Sequence, residues 1–227
     1  AKGIATGLWT QSYLVPDSNA NSFWHLLRDF KAEVETGGVT TLKTDVAWVG
    51  HGYSMQLDGV KTAYDIVTTG RQSRPNIISL DGWAGSHRYN SVWTGDQYGG
   101  EWEYIRFHIP TYIGQSLGGN PNIGSDMDGI FGGHEIIATR DYQWKTFTPQ
   151  MLNMDGWGKY EKAPFTFGEP YTGISRMYNK LKAQLMPYSY TTAYAAANID
   201  VNNDDTGLPM VRAMFLAYPE DSYAYSK

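Results

Sequence analysis

Four aspartates occupy comparable places in the chain. Asp45, Asp81, Asp96 and Asp126 each follow a short apolar or β-branched run. In a parallel sheet, ligand-binding groups gather at the carboxyl ends of the strands, so these four mark a candidate functional rim. Two carboxylates on different strands suit glycoside hydrolysis. One attacks the anomeric carbon or activates water, and the other protonates the leaving oxygen. A retaining mechanism needs them about 5–5.5 Å apart and an inverting one about 6.5–9.5 Å, a distance that spacing along the chain does not supply. Asp45, at the end of Thr40–Thr44, and Asp96, after Val92–Gly95, are the candidate pair. On spacing alone a second reading stands beside this one: strand-end carboxylates that cap helices or pair with Arg88 and Arg106.

Other chemistries fit less well. His25, His51, His87, His108 and His134 are scattered, with no HExxH or other close ligand pair, so a zinc site is not expected. The chain has no Cys, which removes disulfides, thiolate metal sites and thiol nucleophiles. Asp200, Asn202 and Asp204 hint at a calcium loop. The sixth position of an EF-hand loop, normally Gly, is Asp205, and the twelfth, normally Glu, is Val211, so a polar surface loop is expected. The glycine-rich stretches lack phosphate-loop spacing, and no GxSxG is present.

The elements that must position the aspartates alternate between helix and strand. Phe23, Leu26, Leu27, Phe30 and Val34 predict a helix over 20–36, capped by Asn19 or Asn21 and stopped by Gly37 and Gly38. Strands are predicted over 39–46, 76–80, 91–94, 122–125 and 148–154. Helices are predicted over 58–69 and 140–147, with an amphipathic stretch over 101–117 broken at Pro110. A long helix over 171–197 is interrupted at Pro187, and 210–218 reads as β. Strands alternating with helices predict βα units around a parallel sheet.

Composition fits this class. Hydrophobic residues make up 41% of the 227-residue chain and charged residues 18%, enough for an ordinary globular core and against disorder. The net charge of −5 argues against a nucleic-acid partner, and no apolar run reaches the ~18 residues of a membrane span. Aromatic residues make up 15% of the chain, and their flat faces with polar tips suit sugar rings as well as a Tyr-rich core. The chain opens on Ala without a leader, which reads as a mature product or a piece of something longer.

The segment from Trp83 to Asp96, with Ala84-Gly85, Arg88-Tyr89 and Trp93-Thr94-Gly95-Asp96, resembles the "AG…RY…WTGD" segment of glycoside hydrolase family 31. Trp102-Glu103 extends the match. Gly124-Ser125-Asp126 with Gly129 is similar to the family's "G-(S/A)-D-(I/V)-x-G", and Phe147-Thr148-Pro149 to its "F-x-P". Leu185 to Thr191 is similar to "LLPYLYT", and Val211 to Phe215 with Pro219 and Asp221 to "RPLF…FP.D". Upstream, Leu42-Lys43-Thr44-Asp45 resembles the nucleophile strand. These segments follow the family's order across residues 7–221.

The resemblance implies an α/β fold: the C-terminal portion of a (β/α)₈ TIM barrel, about strands 4–8, over 1–200, and the start of a following β-domain over 201–227. The preceding barrel strands would be missing, so the chain is expected to be a fragment, poorly active alone. The resemblance also implies a retaining, double-displacement α-glycosidase with Asp45 as nucleophile and Asp96 as general acid/base, and no cofactor or metal. Family substrates are α-glucosides, α-xylosides, α-galactosides, sulfoquinovosides and α-N-acetylgalactosaminides. Lys43, on the same strand face as Asp45, stabilises the carboxylate, holds a sugar hydroxyl or forms a rim salt bridge. Trp93 and Trp83 wall Asp96 or stack on the sugar. Attack by Asp45 removes a negative charge, which lowers the pKa of Asp96 and turns it from acid to base. Asp126 and Asp155 contact sugar or hold structure, and Trp48 is a further candidate contact.

Three departures bear on the sugar. Leu80 replaces a common Arg and Met154 a common His, both of which grip the C2/C3 side. Val46 to Val49 lack the usual Glu after the nucleophile. An apolar, roomier wall suits a 2-acetamido group, so the chain looks most like the α-N-acetylgalactosaminidase branch. The alternatives are an α-glucosidase or α-transglucosidase of the same family, or a non-catalytic carbohydrate-binding remnant. A bulky glycan substrate implies a bacterial extracellular or periplasmic location.

Overall fold

A computed structural model of the chain describes residues 3–10, 28–45, 57–154, 161–198 and 207–226. The chain divides into two compact units, Ala1–Trp93 and Thr94–Lys227.

In the first unit, β1 (Gly7–Thr10), β2 (Thr41–Thr44), β3 (Asn76–Ser79) and β4 (Ser91–Trp93) lie parallel in chain order. The register sets Trp9 beside Lys43 and Lys43 beside Ile78. Helices α1 (Phe30–Gly37) and α2 (Leu57–Arg71) cover one face of this sheet. Phe30, Val34, Val60, Ala63 and Val67 from the helices pack with Leu42 and Ile77 from the strands. Side chains alternate along a strand, so burying Leu42 against the helices turns Lys43 to the other face.

Helix α1 starts later than the apolar spacing predicts. Asp29 caps it by accepting from the Ala32 N–H at 3.0 Å, so the cap is neither Asn19 nor Asn21, and residues 20–27 lie outside the described residues. Its end falls where expected: Gly38 is left-handed, φ 70°, and donates its N–H to the Val34 carbonyl.

The second unit contains α3 (Trp102–Leu117), β5 (Ile123–Gly124), α4 (Glu135–Lys145), α5 (Tyr171–Gln184), α6 (Met186–Ala197) and the short α7 (Met214–Ala217). Tyr104, Ile105 and Ile137 form a buried apolar cluster, with Trp144 packed against them. Pro110 does not break α3. It lies on the exposed side, where water can meet the carbonyl left without its helical donor. The strand predicted over 148–154 reduces to one bridge, Asp126 with Leu152, because Pro149 has no N–H for a ladder. The long helix divides as predicted, with Pro187 in the first turn of α6.

The β reading of 210–218 is overturned. Met214, Phe215, Leu216 and Ala217 form a helical turn, in keeping with their propensity. Phe215 stacks on Tyr225, whose ring centroid is 5.5 Å away.

Candidate active site

The first unit builds a charged cluster around Asp45. Asp45 follows β2 and is 7% exposed. Its Oδ2 accepts from the Trp9 indole N–H at 2.6 Å and lies 3.7 Å from the Lys43 ammonium. Its backbone N–H donates to the Thr10 hydroxyl at 3.4 Å. The Lys43 Nζ also sits 3.4 Å from the centroid of the Trp93 ring, crossing β3 to reach it. Lys43 is half-buried and pairs with Asp45, and Trp93, 1% exposed, turns a ring face to that cation. An N–H donor and a cation thus converge on one carboxylate oxygen and fix its direction.

Trp9 is the residue that sequence reasoning missed. Its only signal was a single aromatic in the short run Gly7–Thr10. Strand register, which is not a local property, brings it beside Lys43.

Asp81 lies just past β3 and is 1% exposed. Its Oδ1 accepts from the Trp83 N–H at 3.1 Å, and its backbone carbonyl accepts from Ser86 and Asn90. Oδ2 has no hydrogen-bond partner among the described residues, and burial pushes the carboxyl pKa up against the opposing Trp83 N–H. Trp83 itself is 65% exposed, and Leu80 is half-buried.

In the second unit, Asp96 is exposed on the loop 95–100. Thr94 at the loop's start donates its N–H to the Gly124 carbonyl in β5 at 3.1 Å. The Thr94 hydroxyl lies 3.1 Å from both Gln97 Oε1 and His108 Nε2. Burial lowers the pKa of His108, opposed by its contact with the Tyr104 carbonyl.

Asp126 follows β5 and is buried. Its backbone carbonyl accepts from the Tyr104 hydroxyl and from the Lys145 ammonium, the latter at 2.7 Å. Lys145 also pairs with Asp141 at 2.6 Å, both side chains fully buried. Burial pushes the Lys145 pKa down, and Asp141 opposes this. A second buried lysine, Lys162, donates to the carbonyls of Met127 and Gly129. Of the predicted second-unit contacts, Met154 is half-buried, and Asp155 lies outside the described residues, as does Trp48 of the first unit. Arg106 pairs with Glu103 at 3.1 Å.

The sequence pattern of the glycosyl hydrolases family 31 TIM-barrel domain matches residues 17–192. The chain belongs to glycoside hydrolase family 31. It is 33% identical over 156 residues to α-glucosidase 2 of Bacillus thermoamyloliquefaciens, covering 67% of this chain and 19% of that one. The glucosidase II alpha subunit bound to α3-Glc2 superposes with a TM-score of 0.65 at 27% identity, over 74% of this chain and 18% of that one. The fold is also that of a family 31 α-xylosidase from a soil metagenome, with a TM-score of 0.74 over 87% of this chain and 34% of that one, at 20% identity. The chain thus spans about a fifth of the length of the curated relative. The parallel strands and covering helices described above are a partial region of this family's TIM-barrel domain.

Proposed function

We propose that the protein is a retaining α-glycoside hydrolase in which Asp45 is the nucleophile and Asp96 the general acid/base. The observation that carries this reading is the buried Asp45 carboxylate, held by Trp9 and Lys43 at 2.6 and 3.7 Å. A nucleophilic carboxylate must be aimed at its target, and these two contacts on one oxygen fix its direction. In the first step the Asp45 carboxylate forms a bond to C1 of the sugar, and the departing oxygen takes the Asp96 proton. In the second, Asp96 takes a proton from water, the water oxygen bonds to C1, and the ester bond to Asp45 breaks.

For the sugar, the names of the relatives support an α-glucoside over the N-acetylgalactosaminidase resemblance. A second reading, release of α-linked N-acetylgalactosamine, rests on two apolar side chains, Leu80 and Met154, at positions where a glucosidase commonly has Arg and His. Loss of two polar donors there favours a substituent with a methyl group over a bare hydroxyl. A bulky glycan substrate would place the protein in a bacterial extracellular or periplasmic space.

Hydrolysis of aryl α-glucoside, α-xyloside, α-galactoside and α-N-acetylgalactosaminide by the full-length protein tests both parts. Turnover of the glucoside or xyloside is the expected result. Release only from the N-acetylgalactosaminide would transfer the assignment to the second reading, and no release from any of the four would remove the α-glycosidase reading.

A further inference from the structure

Asp128 is fully buried, and burial pushes its carboxyl pKa up. Three backbone N–H groups oppose that penalty. Gly100 donates to Oδ1 at 2.6 Å, and Gly133 and His134 donate to Oδ2 at 2.8 and 2.9 Å. Asp128 thus bridges two separate backbone stretches: the end of the loop that carries Asp96 and the turn that opens α4.

Asp128 is itself held. Its own N–H donates to Asp141 Oδ2 at 2.8 Å, and its backbone is left-handed, φ 53°. Asp141 is fixed by Lys145 and by the Trp144 indole N–H, both at 2.6 Å. The chain of contacts runs from the buried Lys145–Asp141 pair through Asp128 to Gly100. The loop packs tightly against the same turn: a Cβ on Gly99 would stand 1.8 Å from the Asp128 carbonyl oxygen. Phe131 donates its N–H to the Gln97 carbonyl at 3.4 Å, next to Asp96.

We propose that Asp128 is a positioning residue for Asp96, setting where the proton-donating carboxyl stands by clamping the backbone of its loop. The inference rests on the reading of Asp96 as general acid/base. An amide in place of the carboxylate would turn an N–H toward at least one backbone N–H, so Asp128→Asn should release one side of the clamp while keeping the side-chain shape.

The test uses the full-length protein and two aryl α-glycosides of its preferred sugar. One carries a dinitrophenolate, which departs without a proton, and the other a phenolate, which needs one. If Asp128 positions the acid, Asp128→Asn should lower kcat/KM on the phenyl glycoside by about 10-fold or more and change the dinitrophenyl glycoside by less than about 3-fold. A general loosening of the unit would lower both alike. Equal losses on the two substrates, or no loss on either, would overturn the proposal.

Gly129→Ala strains the same clamp from the other side, because its Cβ would stand 2.5 Å from the Gln97 carbonyl oxygen. It should show the same leaving-group pattern, and it decides the matter if Asp128→Asn does not fold. Asp96→Ala, measured alongside, separates the two ideas. If Asp96→Ala lacks the leaving-group pattern, the acid/base reading falls and this inference with it. If Asp96→Ala shows it and Asp128→Asn does not, the positioning role alone falls.

Discussion

Around Asp45 the protein grips the carboxylate; around Asp96 it grips the loop. In the first unit a charged side chain and an indole N–H converge on a single oxygen of Asp45. In the second, Thr94, Gln97 and Gly100 are anchored through their backbones, and Asp96 between them is exposed. The difference matches two chemical tasks. A nucleophile that must be ionised gains from fixed positive partners. A group that must first donate a proton and then accept one has to change charge during the cycle, and backbone anchors hold its loop in place whichever charge it carries.

The largest effect should come from the nucleophile itself. Asp45→Ala is expected to reduce kcat by about 10⁴-fold or more, while leaving binding of the intact sugar near normal. Steady-state turnover beside calorimetric titration with substrate separates the two effects, and unchanged turnover would end the comparison. Next comes the buried pair behind the second region. Lys145→Met leaves Asp141 buried without its cation and should cost about 3–5 kcal/mol of stability, read by denaturant unfolding. A loss below about 1 kcal/mol would mean that Lys145 does not carry the scaffold of the Asp96 loop.

Much of this organisation is legible in the sequence, and the failures are physical. The sequence predicts a helix over 58–69 within the observed α2, and the predicted strands 76–80 and 91–94 each run one residue past β3 and β4, because apolar spacing there is a local signal. The prediction of β over 210–218 fails, because Met214–Ala217 close a helical turn instead. The candidate site was half visible. Lys43 and Asp45 share a strand face and can be paired from period two alone. Trp9 reaches them only through strand register, and Asp128 matters only through the folding of two glycine-rich turns onto each other. Neither signal exists along the chain.

A smaller effect sharpens the first half of the comparison. Trp9→Phe removes the N–H to Asp45 with little change in volume and should lower kcat/KM by about 10-fold, the scale of one charge-assisted hydrogen bond. A loss under 2-fold would mean that the Trp9 N–H does not set the orientation of Asp45.

The smallest concerns Asp81, buried with one oxygen unpartnered among the described residues. Its carboxyl pKa is raised in the folded state, so the stability it contributes is fully present below the unfolded value and is lost as pH rises through the folded value. Asp81→Asn should therefore match the parent near pH 3 and be more stable than it at pH 7 by about 1 kcal/mol, read by denaturant unfolding. A gap that widened toward acid would reverse the sign and show that the buried carboxylate is stabilised.

Lys43 lies against two partners, the Asp45 carboxylate and the Trp93 ring. Only one of them would lose its charge in the proposed reaction. While Asp45 is esterified to the sugar, the ammonium would still rest on the indole face, so it would not have to leave and return between half-reactions. It would then attract the electrons that flow back to Asp45 as water arrives. Shortening this side chain should therefore lengthen the life of the glycosylated protein more than it slows its formation, and the covalent species would become the form that accumulates during turnover.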